Sequence, residues 1–280
     1  MSFADEYHRL ACTVAERLAL PRLSGLQLPN PVEEAEKADE FGFVFLEDGS
    51  AGPFYTSLDD TLPELWKLYP DGGNVQGNVL ELIEHFRSQS QVLRSVALGA
   101  FNAISQHVFE RAGFSPVKAS TTKSQPAPGQ LVAIVGYIRP MVERLLEKGH
   151  PVLVLEKNPD RVELQPGVTL STDPRDLRSS DFIICTASTL INDSLGEILH
   201  YKRASAHLSL VGPSGSGLPD VLFAHGVDDV GGVAFHDIDA LKASLVRQES
   251  WGHAGDKYQL STAQYPGIDR LLAAIQQNQP

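Results

Sequence analysis

The chain has 280 residues, 42% hydrophobic and 21% charged, enough for one large domain or two ordinary ones with a sizeable core. A formal charge of -12 argues against general affinity for nucleic acid or an anionic membrane, both of which need clustered Lys and Arg. The expected partners are small molecules or other proteins, with a homodimer as an admissible assembly. Cys12 and Cys185 stand far apart with no C-x-x-C pairing, which points to a reducing compartment and two buried thiols. The start, "MSFADEYHRLACTVAERL", is acidic and helical and no run is long enough to span a bilayer, so a cytoplasmic location is expected.

In chain order, Leu10, Val14 and Leu18 predict a helix over 3–20 with one apolar face. A strand is expected over 26–35. A hairpin follows, with arms at 41–47 ("FGFVFLE") and 53–57 ("PFYTS"), because "DGSAG" between them supplies the turn. Together these predict a small antiparallel sheet. Helices are expected over 61–69, 77–88 and 91–110; in the last, Ala97, Gly99, Ala100 and Ala103 let another backbone approach closely. Residues 114–129 lose periodicity and gain Pro, Ser, Thr and Lys, as a linker does. The predicted organisation is a smaller α+β domain over 1–124 and a second domain over 125–280.

In the second domain, strands are predicted at 131–136, 151–156, 168–170, 181–185, 206–211 and 230–235, alternating with helices at 140–148, 188–200 and 219–224. Such alternation implies a Rossmann-like, doubly wound parallel sheet with ligands at the carboxyl ends of its strands.

The stretch "LVAIVGYIRPMVERLLEKGHPVLVLEKNPD" (131–160) carries the strongest chemical signal. Gly136 ends one strand and Glu156 the next, 156 − 136 = 20 positions on, the spacing of an acidic residue that accepts ribose hydroxyls. Ile138 and Met141 occupy the places of the second and third glycines of a dinucleotide fingerprint. A pyrophosphate is therefore disfavoured, and an adenosyl compound such as S-adenosylmethionine suits Gly136, Tyr137 and Pro140 better. Glu156 is otherwise a solvated strand end. Asp173 either contacts an adenine or caps the helix that begins at Pro174.

Two later loops belong to the same edge. "CTASTLIND" presents Thr186, Ser188, Thr189 and Asn192 where backbone N–H groups favour a carboxylate, and "VGPSGSGLPD" presents Pro213 and Ser214. Four loops at one edge predict a pocket. Ser214 is no nucleophile elbow, because Ser216 stands where the second glycine is needed. His236, Asp237 and Asp239 could meet a cation, but no two histidines have i, i+4 spacing and no H-E-x-x-H occurs, so no tight metal site is predicted.

In combination, "SVALGAFNAIS" (95–105), "VGYIRP" (135–140), "CTASTLIND" (185–193) and "LVGPSGSGLPDVLFAHGVDDVGG" (210–232) resemble the two-part family DUF4213/DUF364, which carries a heavy-metal chelation label. The resemblance covers nearly the whole chain. It implies a domain like the small N-terminal domain of enolase joined to a Rossmann-like domain, with a site in the cleft between them. The matching positions are Asn102, Gly136, Pro140, Glu156, Thr189, Asn192, Gly212, Pro213 and Ser214. The family's loop carries glycine where Ala187 and Asp193 stand here, which leaves that loop's shape open.

The expected function is that of an enzyme binding S-adenosylmethionine in the interdomain cleft, either for carbon–sulfur cleavage or cyclisation within the ligand or for group transfer. Glu156 would hold the ribose and the 186–192 loop the amino-acid end. Phe54 and Tyr55 would cover the sulfonium by cation–π contact, unless they serve only to pack the hairpin. Tyr55 is the candidate acid–base group, and Asn102 lies on the substrate side. A metal-chelating protein without turnover is the alternative, and an NAD-linked enzyme a second one.

Overall fold

The computed structural model describes residues 2–30, 40–71, 75–119 and 124–278. Helix α1 (Phe3–Arg17) begins at a capping box: the Asp5 N–H donates to Ser2 Oγ and the Ser2 N–H to the Asp5 carboxylate. Its face of Phe3, Tyr7, Ala11 and Val14 is buried. Strands β1 (Leu23–Gln27), β2 (Phe41–Leu46) and β3 (Ala51–Tyr55) form an antiparallel sheet in that order. β1 starts earlier than the expected 26–35, and positions 31–35 lie outside the described residues.

Helices α2 (Thr61–Leu68), α3 (Val79–Ile83), α4 (Gln91–Arg111) and α5 (Pro116–Ala119) follow, with α3 tightening into a 3-10 turn over Glu84–Arg87. The small residues of α4 do receive a backbone. A Cβ on Gly52 of β3 would stand 1.9 Å from the Gly99 carbonyl oxygen and 2.3 Å from the Ala103 nitrogen, so strand and helix touch main chain to main chain.

The remaining elements are β4 (Val132–Val135), α6 (Arg139–Glu147), β5 (Val152–Leu155), β6 (Val168–Ser171), β7 (Phe182–Thr186), α7 (Leu195–Tyr201), β8 (His207–Val211), α8 (Asp220–Ala224), β9 (Asp229–Phe235), α9 (Ile238–Arg247), β10 (Gly255–Ser261) and α10 (Ile268–Gln277). The seven-stranded sheet runs β10-β9-β8-β7-β4-β5-β6, with β10 antiparallel and every other pairing parallel. This is a Rossmann-like doubly wound order extended by one antiparallel edge strand. Side chains alternate across β4: Val132 and Ile134 enter one core with Val142 and Leu145 of α6, while Ala133 and Val135 enter the core shared with the N-terminal part.

The helix expected over 188–200 is broken. A 3-10 turn spans Ala187–Leu190, Asp193 takes a left-handed φ of 58°, and α7 starts two residues later. Asp is among the few residues other than glycine that adopt this conformation without a large penalty, so the loop retains a glycine-like bend at 193.

The two parts are fastened together by buried hydrogen bonds. Asn102 Nδ2 donates to the carbonyls of Pro53 and Ser214 at 2.8 and 3.0 Å, and the Tyr55 N–H donates to Ser214 Oγ at 2.9 Å. Arg94 Nε donates to the Ile191 carbonyl at 3.1 Å, holding the loop before α7. Near the end of the chain, Asp220 accepts from Tyr265 Oη at 2.6 Å and from the Ile268 N–H at 2.9 Å. Burial raises the Asp220 pKa despite those bonds. The folded state thus binds this proton more tightly than the unfolded chain. The contribution is fully present below the unfolded value of about 4 and is lost as pH rises through the folded value. Urea midpoints from pH 4 to 7 should therefore fall with pH more in wild type than in Asp220→Asn; parallel profiles would exclude Asp220 as the cause.

Cys185 is buried, and burial pushes its thiol up to about 12, whereas Cys12 is only half-buried. Among the described residues no helix is long and apolar enough to cross a membrane.

Candidate functional site at the carboxyl ends of the strands

Strands β4 and β7 are neighbours although β5 and β6 lie between them in sequence, so the loops after β4 and β7 part in opposite directions and leave a crevice at the carboxyl ends. The N-terminal part walls that crevice into a cleft of about 1190 Å³. Gly136 sits at its base with φ 83°, and a Cβ there would come within 2.7 Å of Thr186 Cγ2. The conformation and the closeness of the two strand ends both call for glycine.

Glu156, at the end of β5, lines the cleft and turns back on the Gly136 loop. Its Oε2 accepts the Tyr137 N–H at 2.9 Å and its Oε1 the Asn158 N–H at 3.0 Å. Each carboxylate oxygen can accept a further donor. Tyr137 and Pro140 line the cleft as well; the Tyr137 ring packs on the β4–α6 core, and its buried hydroxyl has no hydrogen-bond partner among the described residues.

The loops after β7 and β8 bring in Thr186, Ser188, Thr189, Asn192, Pro213 and Ser214. Thr186 Oγ1 accepts the Ser188 N–H, and Thr189 Oγ1 donates to the Thr186 carbonyl at 2.7 Å, so both hydroxyls shape the loop. Asn192 Oδ1 accepts from the N–H and the hydroxyl of Ser194, which leaves its amide N–H groups as the donors available to a ligand. On the facing wall, Tyr55 Oη donates to Glu40 at 3.2 Å and meets Arg161. Burial first, then the Glu40 charge, raises the Tyr55 hydroxyl pKa, so it is protonated at neutral pH.

The family model DUF364, described as "Putative heavy-metal chelation", matches residues 119–263. The chain belongs to the DUF364 family. The match leaves the residues before 119 aside. Two DUF364 proteins of unknown function have solved structures with the same fold. The one from Pyrococcus horikoshii (PH1506) superposes with a TM-score of 0.67 at 20% identity, covering 92% of this chain and 99% of that one. The other, from Desulfitobacterium hafniense DCB-2, gives 0.65 at 19% identity over 94% and 100%. The "Uncharacterized protein MJ0500" of Methanocaldococcus jannaschii is 26% identical over 168 residues, 59% of this chain. The matched region spans 64% of that relative's length, just under two thirds.

Not every predicted residue faces the DUF364 cleft. Phe54 is fully buried, and a Cβ on Gly42 or Gly99 would fall 2.4 Å from its ring, so it packs the hairpin on α4 and offers no surface to a ligand. Asn102 is buried at the junction of the two parts and pins Pro53 to Ser214. Asp173 caps the 3-10 turn Pro174–Ser179 and pairs with Arg175; its neighbours Thr172 and Pro174 line the cleft and it does not.

The described residues hold no preformed cluster of metal ligands. None of them form a group of three or more His, Cys, Asp or Glu side chains able to hold an ion. The described carboxylates lining the cleft are Glu40, Asp59, Glu156 and Glu197, with no described His or Cys beside them; Glu156 accepts two backbone N–H groups and Glu40 the Tyr55 hydroxyl. Asp237 caps α9 through the Ala240 N–H, and His236 stands 3.7 Å from Asp256.

Residues missed from the sequence are Glu40, Phe41, Gln91, Arg161, Trp251 and Lys257, all lining the cleft. Trp251 follows α9, in a segment to which no element was assigned. One of only two tryptophans, set in the polar run "QESWGHAGDK", it is half-buried, packing on Phe43 and Phe235 while it lines the cleft.

Proposed function

We propose that the protein is an enzyme binding an adenosyl ligand in this cleft, first of all S-adenosylmethionine. The observation that supports the reading is the Glu156 carboxylate, 20 positions after Gly136 and at the end of β5, holding the turn through the Tyr137 N–H with lone pairs left for a ribose diol. The ligand's amino-acid end lies along the 186–192 loop, where Asn192 and Ser188 supply donors. Tyr55, hydrogen-bonded to Glu40, is the candidate acid–base group for carbon–sulfur cleavage or cyclisation within the ligand, or for group transfer; in each the sulfonium sulfur departs as a neutral thioether, so the proton to be moved is the one lost by the reacting carbon or attacking group.

Thermal-shift titration tests the reading, because a ligand that binds only the folded state stabilises it by about 2.7 kcal/mol at 100 times its Kd. The melting temperature should climb with the concentration of S-adenosylmethionine and S-adenosylhomocysteine and stay unmoved by NAD. No response to either adenosyl compound sinks the reading. Glu156→Gln, which loses one charged acceptor, should weaken both about 10-fold or more; an unchanged affinity removes the ribose assignment. The family's label favours a second reading, chelation of a metal or metal complex without turnover. Stoichiometric metal in untagged protein, lost with a chelator and restored on reloading, would establish it.

A further inference from the structure

The two walls of the cleft differ in charge and meet where Arg161 reaches the Tyr55 hydroxyl. Among the described lining residues, the N-terminal part contributes the carboxylates Glu40 and Asp59 and no Lys or Arg, whereas the Rossmann-like part contributes five cations, including Lys157 and Arg161, against two carboxylates. Glu40 meets the Tyr55 hydroxyl, and Phe41 joins Tyr55 to Trp251, which also packs on Phe43 and Phe235; the rings of Phe41, Tyr55 and Trp251 all line the cleft. Phe41 meets Tyr55 at 5.5 Å between centroids and Trp251 at 5.9 Å, both edge to face. Glu40 and Arg161 hold the Tyr55 hydroxyl and so fix that ring. Ring π-systems next to a carboxylate are a recognition surface for an organic cation.

We propose that the corner formed by Glu40, Phe41, Tyr55 and Trp251 holds a cationic centre, a sulfonium or quaternary ammonium, while the ligand's carboxylate turns to the basic wall. The cleft then selects zwitterions. This rests on the adenosyl reading for the ligand's identity only; the corner is a site for the charge itself.

Trp66 donates to the Pro29 carbonyl at 2.8 Å and does not line the cleft, so Trp66→Phe leaves Trp251 as the single fluorescent reporter at the site. In that background, S-adenosylmethionine should bind more tightly than S-adenosylhomocysteine, whose thioether is neutral, by roughly 2- to 30-fold, the range of one cation–π contact. Phe41→Leu and Glu40→Gln should each shrink that ratio and leave homocysteine-form affinity within about twofold. Equal affinities in the parent, or a ratio unchanged in both variants, overturn the proposal while leaving the adenosyl site standing. If neither compound binds, the adenosyl reading fails and tetramethylammonium chloride, titrated against sodium chloride at equal ionic strength, decides for the corner. A saturable change in Trp251 fluorescence that Glu40→Gln weakens keeps the proposal; no saturable change ends it.

Discussion

Gly52→Ala is expected to destabilise the protein by more than about 4 kcal/mol, or to prevent soluble folding altogether. The new methyl carbon would sit 1.9 Å from the Gly99 carbonyl oxygen and 2.3 Å from the Ala103 nitrogen. Both are helix backbone atoms that cannot rotate away as a side chain can. The hairpin would have to lift off α4, and with it the fully buried Phe54 and the Tyr55 N–H bond to Ser214. Gly196→Ala is the control, since its Cβ would meet only Phe3 at 3.8 Å, an ordinary contact, and an alanine inside a helix is favoured over glycine by up to about 1 kcal/mol. Urea unfolding of the two variants should separate them clearly; a Gly52→Ala protein with the wild-type midpoint would show that β3 and α4 do not touch main chain to main chain.

Asn102→Asp should be the next most damaging change, costing about 3 to 5 kcal/mol at neutral pH despite its identical shape. The side chain is 1% exposed, and its Nδ2 serves two carbonyls at once, those of Pro53 and Ser214. An ionised carboxylate in that position turns two attractions into repulsions with no donor in exchange. Protonation relieves part of this by restoring one O–H donor, so the variant should regain stability as pH falls below the raised pKa of a buried acid. Asn102→Ala leaves both carbonyls without a donor and should cost about 2 to 4 kcal/mol with no such pH dependence. If Asp and Ala variants show the same pH profile, the bonds to Pro53 and Ser214 are not what the side chain supplies.

Much of the Rossmann-like half was legible because its inner strands are buried on both faces. β4, β5 and β7 read as unbroken apolar runs, and Gly136, Glu156, Thr186 and Ser214 all reach one cleft. β10 escaped because only Tyr258 and Leu260 of its seven residues are buried and it pairs antiparallel, against the alternation that revealed the others. With it went Lys257 and the neighbouring Trp251. The break at 193 was hidden by the continuous helical pattern over 188–200, since a single left-handed residue leaves no trace in periodicity. Phe54 and Tyr55 illustrate the period-2 rule: adjacent in a strand, they face opposite sides, so only one of the pair could meet a ligand.

The packing of α10 has a consequence for how the chain is made. Leu271, Leu272 and Ile275 of α10 belong to the same buried cluster as Phe101 and Ile104 of α4 and Phe3 and Tyr7 of α1. During synthesis α1 and α4 emerge well before α10, so the part of their apolar surface that α10 covers stays open until α10 has been translated. These helices must wait, with part of their core open to solvent, for a helix that begins 268 − 111 = 157 residues after α4 ends.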